Sequence, residues 1–122
     1  MDEPRNMQAL WDQLVGEDLS GIVFVCDDLQ LQFNPPPQLN VYSSRVVVTS
    51  RGQSVAFGEA GFANLAIDLI GKFVKEVRVD PGQSFRIVFA DESEISISLR
   101  PEHYPGPEAV YFKGRDNKLA VL

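Results

Sequence analysis

Met7, Leu10, Trp11, Leu14 and Val15 recur at helical spacing, which lines them up on one apolar stripe. Pro4 falls in the first turn, where its missing N–H does no harm, and Asp2 is placed to cap. Gly16 supplies the stop. Phe62, Leu65, Ala66, Leu69 and Ile70 repeat the stripe, with Gly71 in the place of Gly16 and with Gly58 and Gly61 before the start. Elsewhere the period changes to two. Leu29 to Phe33 and Ile95 to Leu99 alternate cleanly, and Phe85 to Phe89 nearly so, which predicts strands with one buried and one wet face. Ile22 to Cys26 and Arg45 to Thr49 are apolar on both faces, so these two strands are expected at central positions, with Cys26 filling core.

Turn chemistry separates the strands: Asp27-Asp28, Asn34-Pro35-Pro36-Pro37, Ser50 to Gln53, Asp80 to Gln83, Asp91 to Ser93 and Gly114 to Asn117. Connections this short make antiparallel meanders and leave no room for a parallel crossover. The three prolines read as a stiff loop that blunts a sheet edge.

The order of elements occurs twice. Shifting the chain by 55 sets Leu10 on Leu65, Leu14 on Leu69, Gly16 on Gly71, Leu19 on Val74 and Ile22 on Val77. After one inserted turn residue the shift is 56, and Leu29, Leu31, Phe33, Leu39 and Val41 fall on Phe85, Ile87, Phe89, Ile95 and Ile97. The fold expected is α+β: two tandem helix-plus-antiparallel-meander repeats, about 1–58 and 59–122, related by a pseudo-two-fold axis. They would form one sandwich or partial barrel. Half the chain has too small a core to stand alone, so residues 1–122 are read as a single domain.

Composition narrows the partners. The chain has 122 residues and a net charge of -6, with 11 Lys+Arg against 17 Asp+Glu. Nucleic acid and anionic membranes are therefore not expected partners, since both need clustered cations. The acids gather early: residues 1–60 hold 3 basic and 8 acidic side chains, residues 61–122 hold 8 and 9. One cysteine excludes an intrachain disulfide and a cysteine zinc site. The acidic start has no apolar run after it, so no secretory signal is read there, and the expected location is cytoplasmic.

No phosphate-binding loop, dinucleotide fingerprint, nucleophile elbow or metal motif is present in the sequence. No catalytic residue, cofactor or metal site is predicted. Where the repeat breaks, the second half has about eight extra residues, Arg100 to Pro107, carrying the one histidine. A loop on a rigid scaffold is a natural place for contacts, and Glu102, His103 and Tyr104 are the candidates there. Glu17, Asp18, Asp27 and Asp28 are the candidates on the acidic side. The turn acids Asp91, Glu92 and Glu94 read as a solvated turn.

The run Leu69-Ile70-Gly71, Val77 to Asp80, Phe85 to Asp91, Ile95 to Ile97 and Glu108-Ala109-Val110-Tyr111 resembles a pattern in small uncharacterised bacterial α+β proteins. Some of those are similar to the immunity proteins that accompany polymorphic toxins. The resemblance covers about half the chain and carries no catalytic residue. This sequence departs from it at Glu92, where the pattern has glycine, and at Val110, where it has tryptophan.

A non-enzymatic protein-binding module, immunity-like and with a basic partner, is the function expected. The alternative is a small-molecule binder with a pocket between the repeats. Further alternatives are an enzyme using His103 with Glu102 or Glu108, and a homodimer through the strand edge Lys118 to Leu122.

Overall fold

A computed structural model of the chain describes residues 4–26, 28–33, 37–114 and 119–122. The first stripe forms α1 (Pro4–Trp11), continued by a 3-10 turn over Asp12–Leu14. Helix geometry ends there, earlier than the stripe predicts. Val15 is extended (φ -65°, ψ 129°) and points to solvent, and Gly16 follows at φ +86°. The second stripe forms only α2 (Phe62–Ile67), entered through Gly61 at φ +90°.

The described residues also form ten strands: β1 (Gly21–Val25), β2 (Asp28–Gln32), β3 (Gln38–Val41), β4 (Val46–Ser50), β5 (Gln53–Ala56), β6 (Val74–Asp80), β7 (Ser84–Phe89), β8 (Glu94–Ser98), β9 (Val110–Lys113) and β10 (Leu119–Val121). All pairings are antiparallel, in two five-stranded sheets ordered β1-β2-β3-β9-β10 and β5-β4-β8-β7-β6. The protein is α+β. Neither meander continues into the next strands of its own half. Each sheet instead joins a three-stranded meander from one half to a hairpin from the other, so the halves are interleaved.

The registers of the two sheets match across their three-stranded meanders and the strand each meander joins. Ile22 pairs with Leu31 and Val77 with Ile87; Leu31 pairs with Leu39 and Ile87 with Ile95; Leu39 pairs with Phe112 and Ile95 with Val48. Between the sheets, the segments that follow the helices pair with each other. Gly16 and Gly71 donate to Val74 O (2.9 Å) and Leu19 O (2.7 Å), while Leu19 and Val74 donate to Lys72 O (3.0 Å) and Glu17 O (2.9 Å).

One apolar cluster takes in the inward residues of both sheets, among them Leu31, Leu39, Phe112, Val48, Phe85 and Ile97. Trp11 is its largest member and touches a ring from each sheet. Its indole stands edge-on to Phe85 of β7 (5.2 Å, 89°) and Phe112 of β9 (5.3 Å, 66°). At the corresponding place in the second half stands Ala66. A small apolar cavity of about 10 Å³ lies beside Ala66, lined also by Leu29 and Val48.

Two sequence expectations are corrected here. The segment Ile22 to Cys26 is not central, because β1 forms the outer edge of its sheet. Its apolar residues are uncovered rather than doubly covered, with Val23, Phe24 and Val25 exposed. Cys26 is exposed as well, since its backbone turns left-handed (φ +51°) and takes the side chain out of the strand's alternation. Arg45 to Thr49 behaves as expected, with β4 held between β5 and β8. The expected cap at Asp2, the acid Asp27 and the prolines 35 and 36 lie outside the described residues. No helix among the described residues is long and apolar enough to cross a membrane.

Candidate functional site: an acidic cleft beside the first hairpin

Asp28 opens β2 directly after the β1–β2 turn, opposite Val25. Tyr42 follows β3, and its N–H donates to Ala109 O (2.8 Å), which ties the end of β3 to the start of β9. These bonds bring the extra loop of the second half against the first hairpin.

The loop itself is clamped at its start. A 3-10 turn over Pro101–His103 presents His103 O to the N–H of Ser44 (2.6 Å) and to its hydroxyl (2.9 Å). Ser98 Oγ accepts the Arg100 N–H (3.2 Å) and shares a hydrogen bond with His103 Nδ1 at 2.6 Å. Tyr104 is half-buried against the core. Glu102 pairs with Arg100 (3.0 Å), and its carboxyl is held below the ordinary range by its own backbone N–H and by that guanidinium. His103 and Tyr104 therefore anchor the loop, and Glu102 has its cation.

Beyond the clamp, Pro105, Gly106 and Pro107 are exposed. With Glu108, Asp28 and Tyr42 they line an open cleft of about 270 Å³. Neither Asp28 nor Glu108 has an ion pair or side-chain hydrogen bond among the described residues. Tyr42 Oη is 3.5 Å from Asn40 Nδ2, so a phenol and two carboxylates share one opening.

The other sheet differs in its charges. Lys72 pairs with Asp91 (2.5 Å), Lys75 with Glu92 (2.5 Å), Arg78 with Glu76, and Arg86 grips both oxygens of Glu94 (3.0 and 2.9 Å). The Lys72 ammonium, then the Ser93 hydroxyl and N–H, hold the Asp91 carboxyl well below the usual carboxylate range. Asp91 and Glu92, expected as a solvated turn, are exposed and also ion-paired.

Of the predicted residues, the structure brings only Asp28 to the cleft, together with the tail of the 100–107 loop. Glu17 and Asp18 lie in the segment that pairs with 71–74. Asp27 lies outside the described residues. Tyr42 was not singled out, because nothing in a lone tyrosine after a strand marks it. Glu108 was considered only as a partner for His103.

A larger groove of about 670 Å³, also open to solvent, runs between β5 and α2, past Gln53, Ser54, Asn64 and Asp68. Asp68 there is 3.6 Å from the Arg51 guanidinium. No group of three or more His, Cys, Asp or Glu able to hold a metal is found among the described residues. No protein-family model, curated protein or solved structure matches the chain.

Proposed function

We propose that the chain is a non-enzymatic protein-binding module of the immunity-protein kind, whose cleft at Asp28, Tyr42 and Glu108 takes a Lys or Arg side chain of a basic partner. The observation that carries this is the pair of unpaired carboxylates lining one open cleft while the cations of the opposite sheet are already paired. A cation entering there is attracted to both carboxylates and finds a phenol to hydrogen-bond. Interleaving refines the charge argument: it is the local, unpaired acid that recruits, and not the first half of the chain as a block. Catalysis by His103 has little support, since its Nδ1 is engaged by Ser98 and the neighbouring Glu102 by Arg100.

The architecture in this reading is a tandem duplication with the two sheets face to face. Matched registers in both sheets support the duplication. Trp11, in contact with both sheets, supports the sandwich. The exposed thiol of Cys26 suits a reducing cytoplasm.

Titration with N-acetyl-arginine amide, followed by backbone amide resonances, tests the cleft. Shifts at Tyr42, Gly106 and Glu108 that weaken with salt and vanish in Asp28→Asn/Glu108→Gln are expected. Absence of shifts there at tens of millimolar, or shifts untouched by the substitutions, overturns the reading. The groove between β5 and α2 supports the second reading, a small-molecule binder, because it lies between elements of the two halves. Thermal stabilisation by a metabolite, lost in Asn64→Ala, would favour it.

A further inference from the structure

β1 and β6 hold the same edge position in their two sheets, and only one of the two is guarded. By register, Val23, Phe24 and Val25 correspond to Arg78, Val79 and Asp80. β6 carries Lys75, Glu76, Arg78 and Asp80 and a register irregularity between Val74 and Glu76. Charges and a bulge are the ordinary means of keeping a strand edge from pairing. β1 has none of them: Gly21 to Val25 contains no charge and no proline.

Its three valine and phenylalanine side chains are 38%, 43% and 45% exposed. They lie on both faces, with Val23 beside the polar Gln30 and Phe24 against the rings of Phe57 and Phe62 (6.2 and 6.3 Å). An incoming strand would meet free backbone groups along the edge and apolar side chains above and below.

We infer that β1 accepts an extended segment of another protein as a sixth strand, one with apolar residues in its middle and Lys or Arg at both ends. The inference rests on the protein-binding reading above and names the shape of the partner. Acids set the ends: Asp18 precedes β1, and Asp28 stands across the hairpin from Val25. A second copy of the chain fits less well. Antiparallel pairing of β1 with itself about Val23 would set Asp18 of each copy against Asp28 of the other, acid on acid twice.

The test uses the peptide Lys-Lys-Val-Thr-Val-Thr-Val-Lys-Lys, with a control in which Glu replaces every Lys. Binding and amide hydrogen exchange are followed on the full chain and on Val23→Arg/Val25→Asp, which copies residues that β6 carries at the same positions. Thermal unfolding verifies that this variant folds, and Val23→Lys alone replaces it if it does not. Expected are slowed exchange within Gly21–Val25, preference for the basic peptide, and affinity at least about tenfold weaker in the variant. Equal binding of the Glu peptide, or exchange in β1 unchanged by the peptide, overturns the inference. Shifts confined to Tyr42, Gly106 and Glu108 would do so while leaving the cleft reading intact. Protection of β1 that depends on protein concentration without peptide would give the edge to a second copy.

Discussion

Asp18 and Phe73 face each other across an isolated antiparallel bridge, and each stands two residues after a glycine of positive φ, Gly16 and Gly71, that follows a helix. A residue paired with its own counterpart is what a two-fold axis through a strand pair requires. The four hydrogen bonds around it fall into two matched sets, Gly16 to Val74 with Gly71 to Leu19, and Leu19 to Lys72 with Val74 to Glu17. In the proposed duplication this bridge marks the axis.

Gly16 and Gly71 make that relationship testable. Both have left-handed backbones, φ +86° and +95°, and a methyl group added to either meets nothing within 4 Å. The penalty for alanine is then backbone strain alone, roughly 1–2 kcal/mol at each site. Chemical denaturation of Gly16→Ala and Gly71→Ala should give losses that agree within about 0.5 kcal/mol. A loss at only one of them would contradict the equivalence.

Trp11 joins the two sheets and is 2% exposed. Its truncation opens a large void where Phe85 and Phe112 now meet the indole, so Trp11→Ala should lose about 3–5 kcal/mol by denaturant unfolding. Trp11→Phe, which keeps a ring there, should lose less. Near-wild-type stability of the alanine variant would remove Trp11 from its central place.

Asp91 predicts a pH dependence. Its carboxyl is depressed in the folded state by Lys72 first and then by Ser93. A depressed pKa adds stability that is present above the unfolded carboxylate value, near 4, and is lost as pH falls below it. With the side chain 51% exposed, solvent screening limits the effect to about 1 kcal/mol. Asp91→Asn should flatten the stability profile below pH 4 and change the slope little above pH 5. An unchanged acid limb would show that the pair contributes nothing.

Glu92 sits at φ +73°, a conformation that favours glycine. Glu92→Gly relieves that strain but gives up the exposed ion pair with Lys75. The relief should exceed an exposed pair, leaving a net gain of up to about 1 kcal/mol. Glu92→Gln, which loses only the charge, should not raise stability. A gain in Glu92→Gln would point to charge rather than backbone.

Much of the fold was legible because it rests on local pattern. The alternation at Leu29–Phe33 and Ile95–Leu99 placed strands that the structure contains, whereas the helices end before Gly16 and Gly71, where their stripes were expected to stop. Interleaving was not legible. Whether β4 continues its own meander or crosses to the other sheet depends on partners far along the chain, and β4's two-sided apolarity suits either. The edge position of β1 was misread for a related reason. An apolar strand that is covered and one left open for a partner have the same composition, and only its unguarded place in the sheet separates them. Of the cleft, Asp28 was legible as a turn acid. Tyr42 and Glu108 reach it through the Tyr42–Ala109 hydrogen bond, which no spacing announces.

The most direct measurement is capture of partners from host lysate on the wild-type chain and, in parallel, on Asp28→Asn/Glu108→Gln, eluted by a salt step and identified by mass spectrometry. The account predicts a basic protein that leaves the wild type with salt and is missing from the variant. Recovery of the same protein in equal amount on both, or of no specific protein on the wild type, would contradict the acidic cleft as the place where this molecule binds.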